Sequence, residues 1–208
     1  MIEIFSKNKT LYGSINLESS KSISNRLLII NELCDTKFEI QNLSNANDTK
    51  ILTKILNEFK SQKEINCEDA GTALRFVLAY LATQDGNWIV SGSKRMHERP
   101  IKPLVDCLLE LGAEIKYLDK DGFPPIEIKS KKLVGGKLRL KGSISSQFIS
   151  ALLMIAPKLD NGIQLEIDSK VLSKPYIEMT LELMREFGID YTWENNYIKI
   201  ENQHYIGK

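Results

Sequence analysis

One plan recurs three times along this chain of 208 residues: small polar residues, a strongly apolar helix, a strand-like stretch, then an amphipathic helix. The apolar segments are Lys21 to Leu33, Ala70 to Leu81 and Ser145 to Ala156. A helix that is apolar over most of its circumference is buried on most sides, so these three are read as inner helices. The amphipathic partners are Asn47 to Phe59, Pro100 to Leu111 and Pro175 to Phe187. Inner and outer starts lie about 26, 30 and 30 residues apart, so the plan keeps its scale. Three repeated units closing around a common centre would bury the inner helices and leave the outer ones half exposed.

Strand candidates fill the intervals. Phe38 to Leu43 alternates with period two, and so do Trp88 to Val90 after Asp85-Gly86 and Ile163 to Ile167 after Asn161-Gly162. The second and third outer helices end at Leu111-Gly112 and Phe187-Gly188, with glycine suited to a C-terminal cap. A hairpin follows each. Ile115 to Leu118 turns through Asp121-Gly122 to Ile126–Ile128, and Tyr191 to Trp193 turns through Asn195-Asn196 to Ile198–Ile200. The expected fold class is therefore α/β, with β-α-β-α-β-β units present three times over residues 20–208. Residues 1–19 stand outside the plan: Ile2 to Phe5 and Leu11 to Leu17 read as strands of a different structural body.

Bulk properties narrow the function. A 42% hydrophobic and 26% charged composition is that of a globular protein. A net charge of +1 gives no global field for nucleic acid or an anionic membrane, so neither is an expected partner. Any anion site must arise locally. Cys34, Cys67 and Cys107 are far apart and form no metal-binding spacing; they fit reduced, mostly buried thiols of a cytoplasmic protein. The start of the chain lacks the long apolar core of a signal peptide. With only His97 and His204, neither a His-rich metal site nor a Ser-His-Asp triad is expected.

The helix starts carry the chemistry. Lys21-Ser22-Ile23-Ser24-Asn25-Arg26 opens the first inner helix with two cations, where the dipole disfavours each by roughly 0.3–1 kcal/mol. A bound anion on the free backbone N–H groups would compensate, although one such start alone reads equally well as a water-screened end. Ala70-Gly71-Thr72-Ala73-Leu74-Arg75 opens the second, with Gly71 permitting close backbone approach and Arg75 one turn in. Lys94 to Pro100 brings three cations to the second outer helix, Pro100 being suited to a first helical position. Lys141 and Gly142-Ser143-Ile144-Ser145-Ser146-Gln147 precede the third inner helix, and Ser173-Lys174-Pro175-Tyr176 the third outer one, where Ser173 can cap. Parallel helices on a threefold plan would gather these N-termini at one end, forming a site for a ligand with more than one negative group. Asp48, Asp69 and Glu98 near helix starts are read as capping or ion-pairing residues, and no serine or cysteine has an evident activating base.

Five segments, in order, resemble the 5-enolpyruvylshikimate-3-phosphate synthase (3-phosphoshikimate 1-carboxyvinyltransferase) family: Lys21–Arg26, Ala70–Arg75, Arg95–Ile101, Gly142–Phe148 and Ser173–Ile177. The resemblance implies one domain of the enolpyruvyl transferase fold. It also implies transfer of the enolpyruvyl group of phosphoenolpyruvate to the 5-hydroxyl of shikimate 3-phosphate, a shikimate-pathway step toward chorismate and the aromatic amino acids, without metal or organic cofactor. By the same resemblance Lys21, Ser22, Arg26, Ser145, Ser146, Gln147, Ser173 and Tyr176 would hold shikimate 3-phosphate. Lys21, Gly71, Thr72, Arg75, Arg99 and Gln147 would line the phosphoenolpyruvate site, with Lys21 the one candidate for a catalytic role. Two departures accompany it. Phe76 stands where many members have proline, which would alter the helix start near Gly71. Members are also about twice this length, and their second domain supplies an aspartate base, a glutamate, a lysine and further arginines. The chain is thus expected to be a monomeric N-terminal half, inactive alone, whose residues 1–19 join that second domain. Two alternatives are a non-catalytic anion-binding module of the same fold, and a relative of UDP-N-acetylglucosamine enolpyruvyl transferase. The second family uses a reactive cysteine in a loop that here reads Ser91-Gly92-Ser93-Lys94-Arg95.

Overall fold

The apolar runs fold as α1 (Lys21–Leu33), α3 (Gly71–Leu81) and α5 (Ser146–Ile155), and the amphipathic runs as α2 (Asn47–Glu58), α4 (Lys102–Glu110) and α6 (Lys174–Glu186). The structure, a computed structural model, describes residues 5, 10, 12–168, 171 and 173–208. Every residue of α3 is buried, and all of α5 except Gln147. This follows from sequences with no polar face: such a helix loses least when surrounded. α1, α3 and α5 pack on one another. α2 lies against α1 and α3, α4 against α3 and α5, and α6 against α5 and α1. Each outer helix thus closes the groove between two inner ones, and the six form a ring of threefold plan. None is long and apolar enough to cross a membrane among the described residues.

Two of the units carry complete sheets of the same topology. The first contains β1 (Glu64–Asn66), β2 (Asn87–Ser91), β3 (Glu114–Tyr117) and β4 (Ile126–Lys129) in the order β1-β2-β4-β3. The second contains β5 (Gly136–Leu140), β6 (Ile163–Ile167), β7 (Thr192–Glu194) and β8 (Tyr197–Ile200) in the order β5-β6-β8-β7. The β1/β2 and β5/β6 pairs are parallel, as a helical crossover requires, and the hairpins add antiparallel strands. The alternation sets the buried faces: Trp88, Val90, Ile126 and Ile128 in one sheet, and Leu138, Leu140, Leu165, Ile198 and Ile200 in the other. Gly112 (φ 104°) and Gly188 (φ 84°) end the helical segments in conformations that a β-carbon disfavours, as their places after Leu111 and Phe187 imply.

Three expectations are corrected. Phe38 to Leu43 is not a strand. The Asn31 side chain brackets the Phe38 backbone, with Nδ2 donating to the Phe38 carbonyl (3.0 Å) and the Phe38 N–H donating to Oδ1 (3.0 Å). The Phe38 ring stacks on Phe187 at 4.6 Å, and Asn42 turns left-handed at φ 53°. With its amide and carbonyl satisfied locally, Phe38 needs no neighbouring strand. Of Leu11 to Leu17, the described residues 12–17 form no strand either, and Tyr12, Ile15 and Leu17 are 85–95% exposed, with no face to pack against. Ile2 to Phe5 lies outside the described residues except for Phe5. Finally, Pro100 does not begin α4. The basic segment folds first as a 3-10 turn, Met96–Glu98, and the helix opens at Lys102 with Pro103 in its first turn.

The last residues fold back onto the third unit, and Asp35 ties the first unit to it. Tyr205, 1% exposed, donates its hydroxyl to the Met154 carbonyl (2.8 Å), and the Ile206 N–H donates to the Phe187 carbonyl (2.9 Å). Asp35, just past α1, meets Lys158 at 2.9 Å and His204 at 3.0 Å.

Candidate functional site

Four helix N-termini meet around one cavity of about 330 Å³. α1 brings Lys21, Ser22 and Arg26; α3 brings Thr72; α5 brings its cap residue Ser145, with Ser146 and Gln147; α6 brings its cap residue Ser173 and Tyr176. None of these helices has an acidic residue in its first turn, and no carboxylate lines the cavity among the described residues. The two serine caps differ from the two other starts. Ser20 Oγ accepts from the Ile23 N–H and Ser145 Oγ from the Gln147 N–H, whereas α3 and α6 have no side-chain cap. Ser173 does not cap, contrary to expectation: it sits in the left-handed region at φ 56° and lines the cavity. First-turn N–H groups without a protein acceptor, at the positive ends of helix dipoles, favour an anion. A wider hollow of about 650 Å³ beside Ile15, Leu17, Leu43 and Asn45 is lined by no cation among the described residues and includes Glu18, so its described lining lacks this character.

Arg26 is the centre of the arrangement. It is 2% exposed, and its guanidinium makes four hydrogen bonds: Nε to Thr180 Oγ1 (2.6 Å), Nη1 to the Ser22 carbonyl (2.8 Å), and Nη2 to Ser150 Oγ (2.9 Å) and the Tyr176 carbonyl (3.2 Å). The Phe76 ring lies 5.4 Å from its central carbon. Burial pulls the Arg26 pKa down to about 10, which still leaves it charged at neutral pH. No carboxylate pairs with it among the described residues. A buried cation without a counter-ion is costly, and a ligand anion is the natural complement.

The remaining residues form a second cluster on the first turn of α3. Arg75, 5% exposed, donates from Nη1 to the Gly71 carbonyl (2.7 Å) and lies over the Phe148 ring at 5.1 Å, while its buried Nε has no partner. The Arg99 guanidinium packs on Gly71: a β-carbon there would fall 2.1 Å from Arg99 Nη1. Burial first, and then Arg99, bring the Arg75 pKa down to about 10. Two guanidiniums drawn to one glycine repel each other unless a negative group lies between them. The cavity therefore contains Thr72 of the residues expected around phosphoenolpyruvate, along with Lys21 and Gln147; Gly71, Arg75 and Arg99 stand beside it.

Of the acidic residues near helix starts, Asp48 forms the expected ion pair, with Lys21 at 3.3 Å, whereas Asp69 accepts from the Ser93 hydroxyl and does not cap α3, and Glu98 lies in the 3-10 turn without capping it. All three cysteines are buried, and burial raises Cys67 and Cys107 to about 12, so neither is a ready nucleophile. Sequence reasoning missed Ser150 and Thr180. Both are fully buried hydroxyls in otherwise apolar settings, four residues after Ser146 and Tyr176, and that isolation was the available signal.

Known proteins share this organisation. The family model described as EPSP synthase (3-phosphoshikimate 1-carboxyvinyltransferase) matches residues 5–69 and 56–206. A 3-phosphoshikimate 1-carboxyvinyltransferase from Bacteroides fragilis (strain YCH46) is 44% identical over 193 residues, covering 93% of this chain and 47% of the relative. One from Sulfurovum sp. (strain NBC37-1) is 39% identical over 207 residues, covering 88% and 48%. The chain thus spans about half the length of the curated relatives it matches. Among solved structures, EPSP synthase from Acinetobacter baumannii superimposes with a TM-score of 0.80 at 17% identity, over 94% of this chain and 48% of that one. The enolpyruvyl transferase NikO from Streptomyces tendae follows at 0.63 and 13%, over 93% and 49%. The structural likeness establishes the enolpyruvyl transferase fold, and the sequence match establishes descent: the chain belongs to the EPSP synthase (3-phosphoshikimate 1-carboxyvinyltransferase) family.

Proposed function

We propose that this chain provides the shikimate 3-phosphate cradle of a protein that transfers the enolpyruvyl group of phosphoenolpyruvate to the 5-hydroxyl of shikimate 3-phosphate, releasing phosphate. The observation that supports this best is the convergence of four helix N-termini and the buried guanidinium of Arg26, which has no counter-ion among the described residues, on a cavity whose described lining has no carboxylate. In this reading Ser145, Ser146, Ser173 and the helix ends take the phosphate and hydroxyls of the ligand, Gln147 and Tyr176 frame its ring, and Arg26 supplies buried charge. Lys21 reaches across from the mouth toward the second substrate, which Gly71, Thr72, Arg75 and Arg99 receive. Fixed cations and N–H donors of this kind stabilise the negative charge of a tetrahedral intermediate better than mobile water does. The described lining has no carboxylate or histidine, and its Lys21 is ion-paired with Asp48. On this reading the proton of the 5-hydroxyl leaves to a group from outside this cavity, and the chain alone binds without turnover. Residues 1–19 belong, on this reading, with the structural body that contributes that group.

Calorimetric titration with shikimate 3-phosphate tests the reading. Weak but saturable binding is expected, with Kd on the order of a millimolar because on this reading the chain supplies only one side of the clamp, together with a melting-temperature rise that follows ligand concentration. No heat and no thermal shift at several times that concentration would count against it, and turnover by the chain alone would refute its inactivity.

Gly71 offers a second check. In Gly71→Ala the three atoms nearest the added carbon all belong to the Arg99 guanidinium, the end of a flexible side chain, so the fold should change in stability by less than about 1 kcal/mol. Arg99 must swing away, and phosphoenolpyruvate affinity measured with shikimate 3-phosphate present should fall about tenfold, the loss of one charge-assisted contact. Unaltered affinity would remove Arg99 from the second site.

A further inference from the structure

We infer that Ser150 and Thr180 are positioning residues that aim the Arg26 guanidinium while leaving its charge unspent for the bound anion. The inference rests on the cradle reading above. Arg26 reaches from α1 into a junction made by three other helices: Phe76 of α3, Ser150 of α5, and Thr180 with the Tyr176 carbonyl of α6. Ser150 and Thr180 are both 0% exposed. Their hydroxyl oxygens lie 2.7 Å apart, and Thr180 in turn donates to the Tyr176 carbonyl at 2.8 Å. Either hydroxyl can donate to the other; with the Thr180 proton on the Tyr176 carbonyl, the Thr180 lone pairs face Arg26 Nε and the Ser150 hydroxyl.

All four partners of the guanidinium are neutral oxygens. A carboxylate in place of either hydroxyl would hold the arginine more strongly, because it adds the attraction of opposite charges in a buried setting to hydrogen bonds that so far carry charge on one side only. It would also neutralise the charge. A clip whose only task was to join helices gains from such neutralisation; a clip that must present a cation to a ligand cannot use it. The hydroxyls orient the planar fork from behind, and low local polarity strengthens its field toward the cavity that Arg26 lines.

Three variants test this: Thr180→Val, Thr180→Ser and Ser150→Asp, each checked for native circular dichroism and titrated with shikimate 3-phosphate and, separately, with inorganic sulfate. Thr180→Val should weaken shikimate 3-phosphate binding about tenfold, and Thr180→Ser should restore it, since only the hydroxyl matters. Ser150→Asp should melt, without ligand, at or above the temperature of the unsubstituted protein, because Arg26 gains a counter-ion. It should nevertheless lose at least a hundredfold in affinity and show no stabilisation by either anion. A purely structural clip would lose stability in Thr180→Val, gain it in Ser150→Asp, and keep its anion response in both. Unchanged affinity in Thr180→Val and Ser150→Asp overturns the assignment and leaves the cradle reading intact. If shikimate 3-phosphate fails to bind the unsubstituted protein, the cradle reading falls. Sulfate then decides the inference: a shift present in the unsubstituted protein and absent in Ser150→Asp supports it, and equal or absent shifts in both overturn it. Should Ser150→Asp not fold, the Thr180→Val and Thr180→Ser pair decides in the same way.

Discussion

Arg26→Ala is expected to abolish shikimate 3-phosphate binding and to destabilise the fold by about 2–3 kcal/mol. The binding loss follows because no other fully buried cation lines the cavity among the described residues; Lys21 is 45% exposed and already paired with Asp48. The stability cost is a difference of opposing terms. Removing the side chain ends four hydrogen bonds and the contact with Phe76, and leaves the buried Ser150 and Thr180 hydroxyls with fewer partners. Each buried polar group so orphaned costs roughly 1–3 kcal/mol. Against this, the mutation removes a desolvated charge without a counter-ion, which returns part of the loss. Arg26→Lys separates the two effects. It keeps a charge but not the planar fork, so it should retain more stability than affinity. Urea unfolding and calorimetry on the same preparations provide the check, and unaltered affinity in Arg26→Ala would exclude this side chain from the site.

Leu152→Ala should cost more still, about 2–5 kcal/mol, the range for large-to-small changes at filled core positions. Leu152 is 0% exposed on α5, the helix that packs on α1, α3, α4 and α6. A cavity there loosens the centre on which the helix N-termini are mounted. Since domains are stable by only about 5–15 kcal/mol, the loss should appear as a large fall in the urea midpoint with an unchanged slope. Leu109→Ala on α4 is the matched control. That side chain is 42% exposed, and its truncation should change stability by less than about 1 kcal/mol. Equal effects at the two positions would refute the inner-helix core.

Much of this was legible in the chain, for reasons that differ from place to place. α1 opens at Lys21 and closes at Leu33 as the sequence implies, because a serine cap and a continuous apolar run leave no competing conformation. β6 was equally clear, since Ile163, Leu165 and Ile167 alternate against polar neighbours. β1 is only three residues long and carries no periodic signal of its own; it exists because β2 lies parallel beside it. β5 is introduced by Gly135-Gly136, and its two inward leucines make a short pattern. Phe38 to Leu43 shows the reverse: sound alternation is overruled when Asn31 captures the Phe38 backbone and Phe187 captures its ring.

The site divides along the same line. The charges and hydroxyls at helix starts are local features, visible wherever a cation stands in place of the acid that the helix dipole prefers. The sequence therefore determined which residue types stand at the helix starts, and that three units present them. Only the tertiary structure decided that four of those starts share one cavity, that Arg26 is buried with neutral partners from α5 and α6, and that Arg99 rests on Gly71. Those contacts join residues up to 154 positions apart. Their energies depend on burial and on the spacing between charges, both of which come into being only when the helices close into a ring.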